Sequence, residues 1–213
     1  MSLSKKDVWG FVHAERATLV DDLAGLPTDA WATPSLCPEW DINDVVAHLV
    51  DSAKTTRLGF AKRMVFARFD FDGDNAAGVA RQRHTDPLTT LAALRATIPM
   101  THTPIAPRAT RLVEAIVHGE DIRRPLRIAA DYPSEAVEAA LAYQVRVAVA
   151  MGGGRERVKG LRLVATDRAF SAGDGRVVQG RAVDLLLAVS GRPVDTAAFD
   201  GPGASLLAAA AHG

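Results

Sequence analysis

The sequence predicts a mainly α-helical protein, with a helical bundle over residues 1–152 and a small α+β domain over residues 153–213. Three observations support this prediction. Several long segments of the first part repeat apolar residues three and four positions apart, which is the spacing of one buried helix face. Residues 152–154 are consecutive glycines, which indicate a boundary. Beyond them, short β-type runs alternate with turn residues.

The first two helices have clear start signals. Ser4 is predicted to cap a helix that runs to about Ala24. Asp41 is predicted to cap the second helix, and Asp44, three positions later, completes a capping box. The second helix could continue to about Phe66, and a polar, glycine-containing loop is predicted to follow it over residues 68–78.

Three more helices are predicted before the glycine run. In the first of these, Leu88, Leu91 and Leu94 are expected to face the core. A bundle of such helices can host a metal ion between facing helices. The three predicted helices cover about residues 86–98, 108–122 and 134–151.

The last part of the chain is predicted to contain both strands and helices. Two β-type runs occupy residues 161–166 and 176–180, and the segment 171–175 between them has the composition of a turn. Two short apolar helices are predicted to follow, over residues 182–190 and 204–211.

Composition and charge exclude several classes of function. Lys plus Arg equals Asp plus Glu at 25 each, so the chain lacks the basic excess that broad nucleic-acid binding requires. The single cysteine, Cys37, allows no internal disulfide and favours a reducing cytoplasm. No signal peptide or membrane-length apolar run is recognised, so a soluble cytoplasmic protein is expected. Homodimerisation is compatible with such a bundle, although no exposed apolar stripe identifies an interface.

Three residues on two of the predicted helices form a candidate metal site. Glu114 and His118 are four residues apart and therefore share one helix face, and His48 lies on the second helix. Two imidazoles and one carboxylate suit an open catalytic zinc site, and iron or nickel fits nearly as well. The alternative is structural, because a histidine on an apolar face is commonly a core residue and a Glu–His pair at this spacing is commonly a surface contact.

Two segments carry a family resemblance. Residues 35–49 (S-L-C-P-E-W-D-I-N-D-V-V-A-H-L) and residues 114–126 (E-A-I-V-H-G-E-D-I-R-R-P-L) resemble the motifs of the mycothiol-dependent maleylpyruvate isomerase family. That family belongs to the DinB-like metal-binding four-helix bundles. Residues 182–193 are similar, more weakly, to the end of its C-terminal domain.

The resemblance implies a function and a set of ligands. His48, Glu114 and His118 would bind a divalent metal, with zinc as the favoured ion, and the cofactor would be mycothiol or a similar low-molecular-weight thiol. Metal coordination holds such a thiol as thiolate, the nucleophilic form. Reversible addition of the thiolate to an activated double bond would allow rotation from cis to trans in an isomerase. Release of the adduct would make the enzyme an S-transferase.

Two other functions are compatible with the same bundle. The open metal position could activate water, which would make the protein a hydrolase. Alternatively, the bundle could bind a small ligand or a partner without catalysis, with the metal structural or absent.

Several other residues invite a functional interpretation. Arg81, Arg83 and His84 follow the predicted loop, and the two arginines are candidate catalytic residues because arginine suits anionic substrates. An ordinary solvated face is the alternative for this cluster. Asp44 could orient His48 as a hydrogen-bond acceptor, or act only as a cap. Asp121, close behind His118, is predicted to join either a salt-bridge network or the site.

Two further motifs are given structural interpretations. Cys37 is predicted to be a small packed residue and not a nucleophile, since no histidine is near it in sequence. Residues 70–75 (D-F-D-G-D-N) resemble the start of a calcium loop but lack its glycine at the sixth position and its glutamate at the twelfth. This segment is therefore predicted to be a solvated loop.

Overall fold

The computed structural model describes residues 3–66, 70–104 and 106–211. Contacts between residues divide the chain into two compact units, and the division lies between Ala130 and Asp131. The predicted boundary at residue 152 therefore differs from the division of the structure, because the helix after Asp131 packs within the C-terminal unit. Within the described residues, no helix combines the length and the apolar composition needed to cross a membrane.

Among the described residues of the unit Ser4–Ala130, the regular elements are helices, with one isolated β-bridge between Pro34 and Asp41. Its helices pack in a bundle in which α2 contacts α4, α5 and α6, while α1 contacts α5 and α6. This confirms the predicted mainly α-helical bundle. The helices are α1 (Lys5–Leu23), α2 (Ile42–Lys54), α3 (Arg57–Phe66), α4 (Phe71–Gln82), α5 (Pro87–Ala96) and α6 (Ala109–Arg123).

Local side-chain caps begin the first two helices as predicted. The Ser4 hydroxyl accepts from the Asp7 amide, and the Asp7 carboxylate accepts from the Ser4 amide. Asp41 and Asp44 form the same reciprocal pair at the start of α2. Each capping box satisfies amide groups that have no partner inside the helix, which explains why these boundaries are readable from sequence.

The core of the bundle lies between α1, α2, α5 and α6 and is apolar. Leu91 and Leu94 face it as predicted, but Leu88 is 53% exposed. The buried positions of α5 are Pro87, Thr90, Leu91 and Leu94, a spacing that leaves Leu88 about 100° around the helix from the centre of the buried face. The assignment of Leu88 to the core was therefore wrong.

The segment predicted as a solvated loop is largely helical. Asp70 caps α4 by accepting a hydrogen bond from the Gly73 amide at 2.9 Å, so helix begins where the sequence suggested a loop. Gly78 of α4 lies against α2, where a Cβ atom would come within 2.7 Å of Asp51 Oδ2. Close packing of α4 on α2 thus outweighs the weak helix propensity of a glycine-rich segment. Residues 67–69 lie outside the described residues.

The second helix is also shorter than the predicted maximum. It ends at Lys54, and Thr55 has an extended backbone before α3 begins as a separate helix.

The C-terminal unit combines three helices with a three-stranded sheet of order β2-β1-β3. Strand β1 pairs antiparallel with β2 and parallel with β3, and α8 contacts α7, α9 and β1. The elements are α7 (Ser134–Gln144), β1 (Leu161–Ala165), β2 (Ser171–Gly173), β3 (Arg176–Gly180), α8 (Ala182–Val189) and α9 (Ala204–Ala211).

Two sequence predictions for this unit need correction. The segment 171–175 was predicted as a turn, but its first three residues form strand β2 on β1. Helix α7 stops at Gln144, short of residue 151, and a 3-10 turn over Val149–Met151 leads to Gly152 in the left-handed region at φ 78°. Glycine adopts that conformation without the steric cost that other residues incur.

Candidate metal centre

The structure brings two of the three predicted ligands into contact. His48 on α2 and His118 on α6 have ring centroids 4.8 Å apart, with an angle of 70° between the ring planes. The indole of Trp40 lies on the other side of His48, at 5.0 Å between centroids. The pair therefore sits between facing helices, partly covered by an aromatic side chain.

His118 is oriented by a buried carboxylate. Its Nδ1 lies 2.8 Å from Asp121 Oδ2, and the Asp121 side chain is fully buried. With Nδ1–H donating a hydrogen bond to this carboxylate, the lone pair of the neutral ring is on Nε2. Ligating histidines commonly have this arrangement, in which the second ring nitrogen donates to a carboxylate. Of the two roles that the sequence left open for Asp121, the hydrogen bond supports the one in the site.

Glu114 is engaged by two residues that sequence reasoning missed. The Ser52 hydroxyl donates to Glu114 Oε2. Arg111 Nη1 lies 3.2 Å from Glu114 Oε1 and 2.9 Å from Ser52 Oγ, so it donates to both. The spacing of Arg111 and Glu114, three residues apart on one helix, was a usable signal for the ion pair. Ser52 is on α2, and its part could not be read from spacing along one helix.

The electrostatic surroundings favour a neutral imidazole next to an ionised carboxylate. Burial, reinforced by the nearby His118, lowers the pKa of His48 to about 3. Burial alone would raise the pKa of Glu114, but Arg111 and the Ser52 hydroxyl act against burial, and the pKa of Glu114 is lowered. Metal ligands need these protonation states, because a protonated imidazole has no lone pair to donate.

The three side chains do not converge as a formed metal site. Among the described residues, no group of three or more His, Cys, Asp or Glu side chains is arranged so that it could hold a metal ion. The two imidazoles are in contact, while Glu114 bonds to Ser52 and Arg111. The donor types suit a zinc-type ion, and a carboxylate has lone pairs beyond those used in its hydrogen bonds. Reorientation of Glu114 would be needed to complete the set.

The predicted catalytic arginines are both in ion pairs with carboxylates on or beside α2. Arg81 Nη2 lies 3.2 Å from Asp51, and Arg83 Nη1 lies 2.7 Å from Asp41 and 2.6 Å from Asp44. Asp44 is thus occupied by the cap and by Arg83, and its hydrogen bonds do not involve His48. A substrate-binding role for the two arginines stays a prediction. The backbone carbonyl of His84 accepts a hydrogen bond from the Asn43 side chain, and its amide donates to the Thr90 hydroxyl.

The loop before α2 is tied down close to the histidine pair. The Leu36 amide donates to the carbonyl of Asp121 at 3.2 Å, and the Trp40 amide donates to the Cys37 carbonyl. Cys37 is half-buried, packs against the apolar core and is in no disulfide. These contacts agree with the packing role predicted for Cys37, and they position Trp40 beside His48.

A second buried charge cluster lies at the end of α6. Arg123 is fully buried, donates to Glu15 of α1, and lies 2.7 Å from Asp22. Burial raises the pKa of Glu15 to about 7, although Arg123 acts in the opposite direction. Arg124 pairs with Glu120 on the same helix at 2.6 Å. Of the charged residues that follow His118, Arg123 therefore joins α6 to α1.

Comparison with known proteins agrees with the resemblance predicted from the sequence. The family model described as the mycothiol maleylpyruvate isomerase N-terminal domain matches residues 12–106. This match includes His48 and ends before α6, which carries Glu114 and His118. No curated protein matches the chain.

Two solved structures share the fold over nearly the whole chain. One is a crystal structure of a mycothiol-dependent maleylpyruvate isomerase with a histidine-to-alanine substitution, with a TM-score of 0.65 and 14% sequence identity. The other is a crystal structure of the mycothiol-dependent maleylpyruvate isomerase, with a TM-score of 0.61 and 14% identity. Each alignment covers 95% of this chain and 94% of the other. At 14% sequence identity, the structural similarity shows that this chain shares the fold of these two proteins.

Proposed function

We propose that this chain, whose residues 12–106 match the model of the mycothiol maleylpyruvate isomerase N-terminal domain, is a metal-dependent enzyme that uses a low-molecular-weight thiol. In this proposal His48, Glu114 and His118 hold a divalent ion, with zinc favoured. The thiol is mycothiol or a similar compound. The reaction is isomerisation of a small electrophile, or transfer of the thiol onto it.

One observation carries the proposal, namely the contact between His48 and His118 with Asp121 behind the second ring. If the two histidines were only structural, we would expect them to be buried and each to have its own hydrogen-bond partners within the bundle. Here the arrangement leaves Nε2 of His118 available and keeps His48 neutral. Both features support ligation.

The chain's own residues would bind, orient and exclude water. A divalent ion held by this set would supply an open position that favours the thiolate form of the cofactor. Asp121 keeps the His118 ring in one orientation and one tautomer. Arg111 and Ser52 donate hydrogen bonds to Glu114 and lower the pKa of its carboxyl group, which favours the ionised form. Trp40 shields the His48 ring from water on one side.

One observation favours a second candidate, a bundle that binds a small ligand without catalysis. The described residues contain no converged three-ligand set, which is expected if the metal is absent. A metal-dependent hydrolase is the remaining alternative, and it differs from the main proposal in requiring no thiol.

Elemental analysis tests the metal site directly. The wild type, His118→Ala and the control His102→Ala, which changes an exposed histidine, are purified without a chelator or a histidine tag. We expect about one zinc or similar ion per chain in the wild type and in the control, and loss of that ion in His118→Ala. A third variant, Asp121→Asn, retains all three ligands and is expected to bind the metal about 10 to 100 times more weakly.

A metal-free wild type that also fails to bind added zinc would overturn the metal proposal and favour the binding bundle. If metal is bound, electrophile conversion is followed with and without thiol. Conversion that regenerates the thiol identifies an isomerase, and conversion that consumes it identifies a transferase. Conversion without thiol would instead identify the hydrolase.

A further inference from the structure

A cavity of about 280 Å³ opens in the helical unit where three helices begin. Its lining is cationic, and no carboxylate of the described residues contributes to it. The residues that matter for its chemistry are Lys5, Trp9, Arg57, His102, Thr103 and Arg108.

The three cations of this cavity stand at helix starts. Lys5 is the first residue of α1, Arg57 is the first residue of α3, and Arg108 is the N-cap residue of α6. A helix start carries a partial positive charge, so acidic side chains or anions are stabilising there and cations are destabilising. Three like charges at three positive helix ends raise the local potential, which an anion in the cavity would neutralise.

Three other cations of the bundle, all arginines, have carboxylate partners, whereas Lys5, Arg57 and Arg108 have none among the described residues. Arg63, Arg81 and Arg83 each pair with an aspartate. The hydrogen bonds and ion pairs between described side chains include none for Lys5, Arg57 or Arg108. The only acidic residue in the first turn of α1 is Asp7, which is engaged with Ser4 and does not line the cavity. The three charges are therefore solvated and available to a ligand.

A neutral donor and an aromatic wall complete the lining. The Thr103 hydroxyl oxygen is buried, and it has no hydrogen-bond partner among the described residues. A buried hydroxyl without a partner costs free energy, so its pairing with a ligand would be favourable. The indole of Trp9 is buried and forms one side of the cavity. The segment before Thr103 is held in place by Arg16, which donates to the carbonyls of Thr97 and Met100.

We propose that this cavity is a binding site for a compact oxyanion group, a phosphate or a carboxylate, carried by a small molecule. Lys5, Arg57 and Arg108 supply the charge, and the Thr103 hydroxyl supplies a neutral hydrogen-bond donor. The proposal does not depend on the metal or on the thiol. Arg108 precedes His118 by ten residues, which corresponds to about 15 Å along the helix axis. The anion site is therefore separate from the histidine pair.

Calorimetric titration of the metal-free full chain with inorganic phosphate tests the proposal, at constant ionic strength and with chloride as the reference anion. Malonate is titrated in parallel, and the anion with the lower dissociation constant identifies the favoured oxyanion group. We expect saturable phosphate or malonate binding in the wild type. The double variant Arg57→Gln/Arg108→Gln is expected to bind at least about tenfold more weakly. The control Arg95→Gln, which changes an exposed arginine on α5, is expected to bind like the wild type.

Two further variants separate binding from folding and from the proposed enzyme function. Lys5→Glu places an acidic residue at the start of α1, so we expect a higher melting temperature without anion and a smaller increase when phosphate is added. His118→Ala is expected to lose metal but to bind phosphate normally. Equal affinity in the wild type and the double variant, or no binding beyond that of chloride, would overturn the anion site without bearing on the metal site.

Discussion

Glu15 and Arg123 form a buried charge pair that joins α1 to α6. The pKa of the Glu15 carboxyl group is raised from its ordinary value of 4.5 to about 7, and burial is the main cause. A raised pKa means that the folded chain binds this proton more tightly than the unfolded chain does. The resulting stabilisation is fully present below about pH 4.5 and is lost as the pH rises through about 7.

Substitution of Glu15 by Gln should remove this pH dependence. Between pH 5 and pH 8, we expect the free energy of unfolding of the wild type to fall by about 1 to 3 kcal/mol relative to Glu15→Gln, since only the wild type ionises a buried group over that range. Urea unfolding at unit steps of pH measures the difference. Glu138→Gln serves as the control, and parallel profiles for the wild type and Glu15→Gln would contradict the prediction.

The two histidines of the candidate site could be predicted from the sequence, but the residues that contact them could be predicted only in part. His48 and His118 each lie on an amphipathic helix, and periodicity places both near the facing surfaces of the bundle. Asp121 was ambiguous, because it follows His118 by three positions and also stands among arginines. The engagement of Glu114 by Ser52 could not be predicted, since it depends on the axial register of α2 against α6, which no local pattern specifies.

Helix α2 is held at its start by the capping box of Asp41 and Asp44 and by Arg83, which bonds to both carboxylates. If this bridge is structural, Arg83→Gln should lower the free energy of unfolding by about 1 kcal/mol or less, because Arg83 is partly exposed to solvent. Metal content and turnover should then remain at wild-type values. Chemical denaturation and activity assays check both, with Arg95→Gln as the control. Lost turnover at unchanged stability would instead support the substrate-binding role predicted for Arg83.

Elements with local start signals were predicted well, and elements that depend on packing were not. The capping boxes of α1 and α2 involve residues three positions apart, so the sequence displays them directly. Helix α4 was missed because its aspartates and glycines are typical of loops. It forms against α2, where Gly78 allows close approach to Asp51. Strand β2 was missed because it is three residues long and forms only by pairing with β1.

For the whole molecule, the division after Ala130 keeps all the candidate ligands in one unit. His48, Glu114 and His118, together with the anion cavity, lie within Ser4–Ala130, which has its own apolar core. A chain ending at residue 130 is therefore expected to unfold cooperatively and to bind zinc and phosphate with the affinity of the full chain. Urea denaturation and elemental analysis test this expectation. A truncated chain without a cooperative transition, or without metal when the full chain has it, would contradict it.

The position of this division was beyond the reach of sequence patterns. The glycines at residues 152–154 mark a break in the chain, and they suggested a domain boundary there. The amphipathic pattern of α7 shows that the helix has one buried face, but it carries no information about which neighbour covers that face. In the structure the neighbour is α8, so α7 belongs with the sheet and not with the bundle.

The hydrogen bond from the Leu36 amide to the Asp121 carbonyl joins the loop before α2 to the end of α6 through peptide groups alone. Every non-proline amino acid offers the same amide, and every amino acid offers the same carbonyl. Mutation at either position can change the side chain and leave the connection intact. Over evolutionary time, the path of this loop beside the histidine pair can thus be inherited while the surrounding residues diverge.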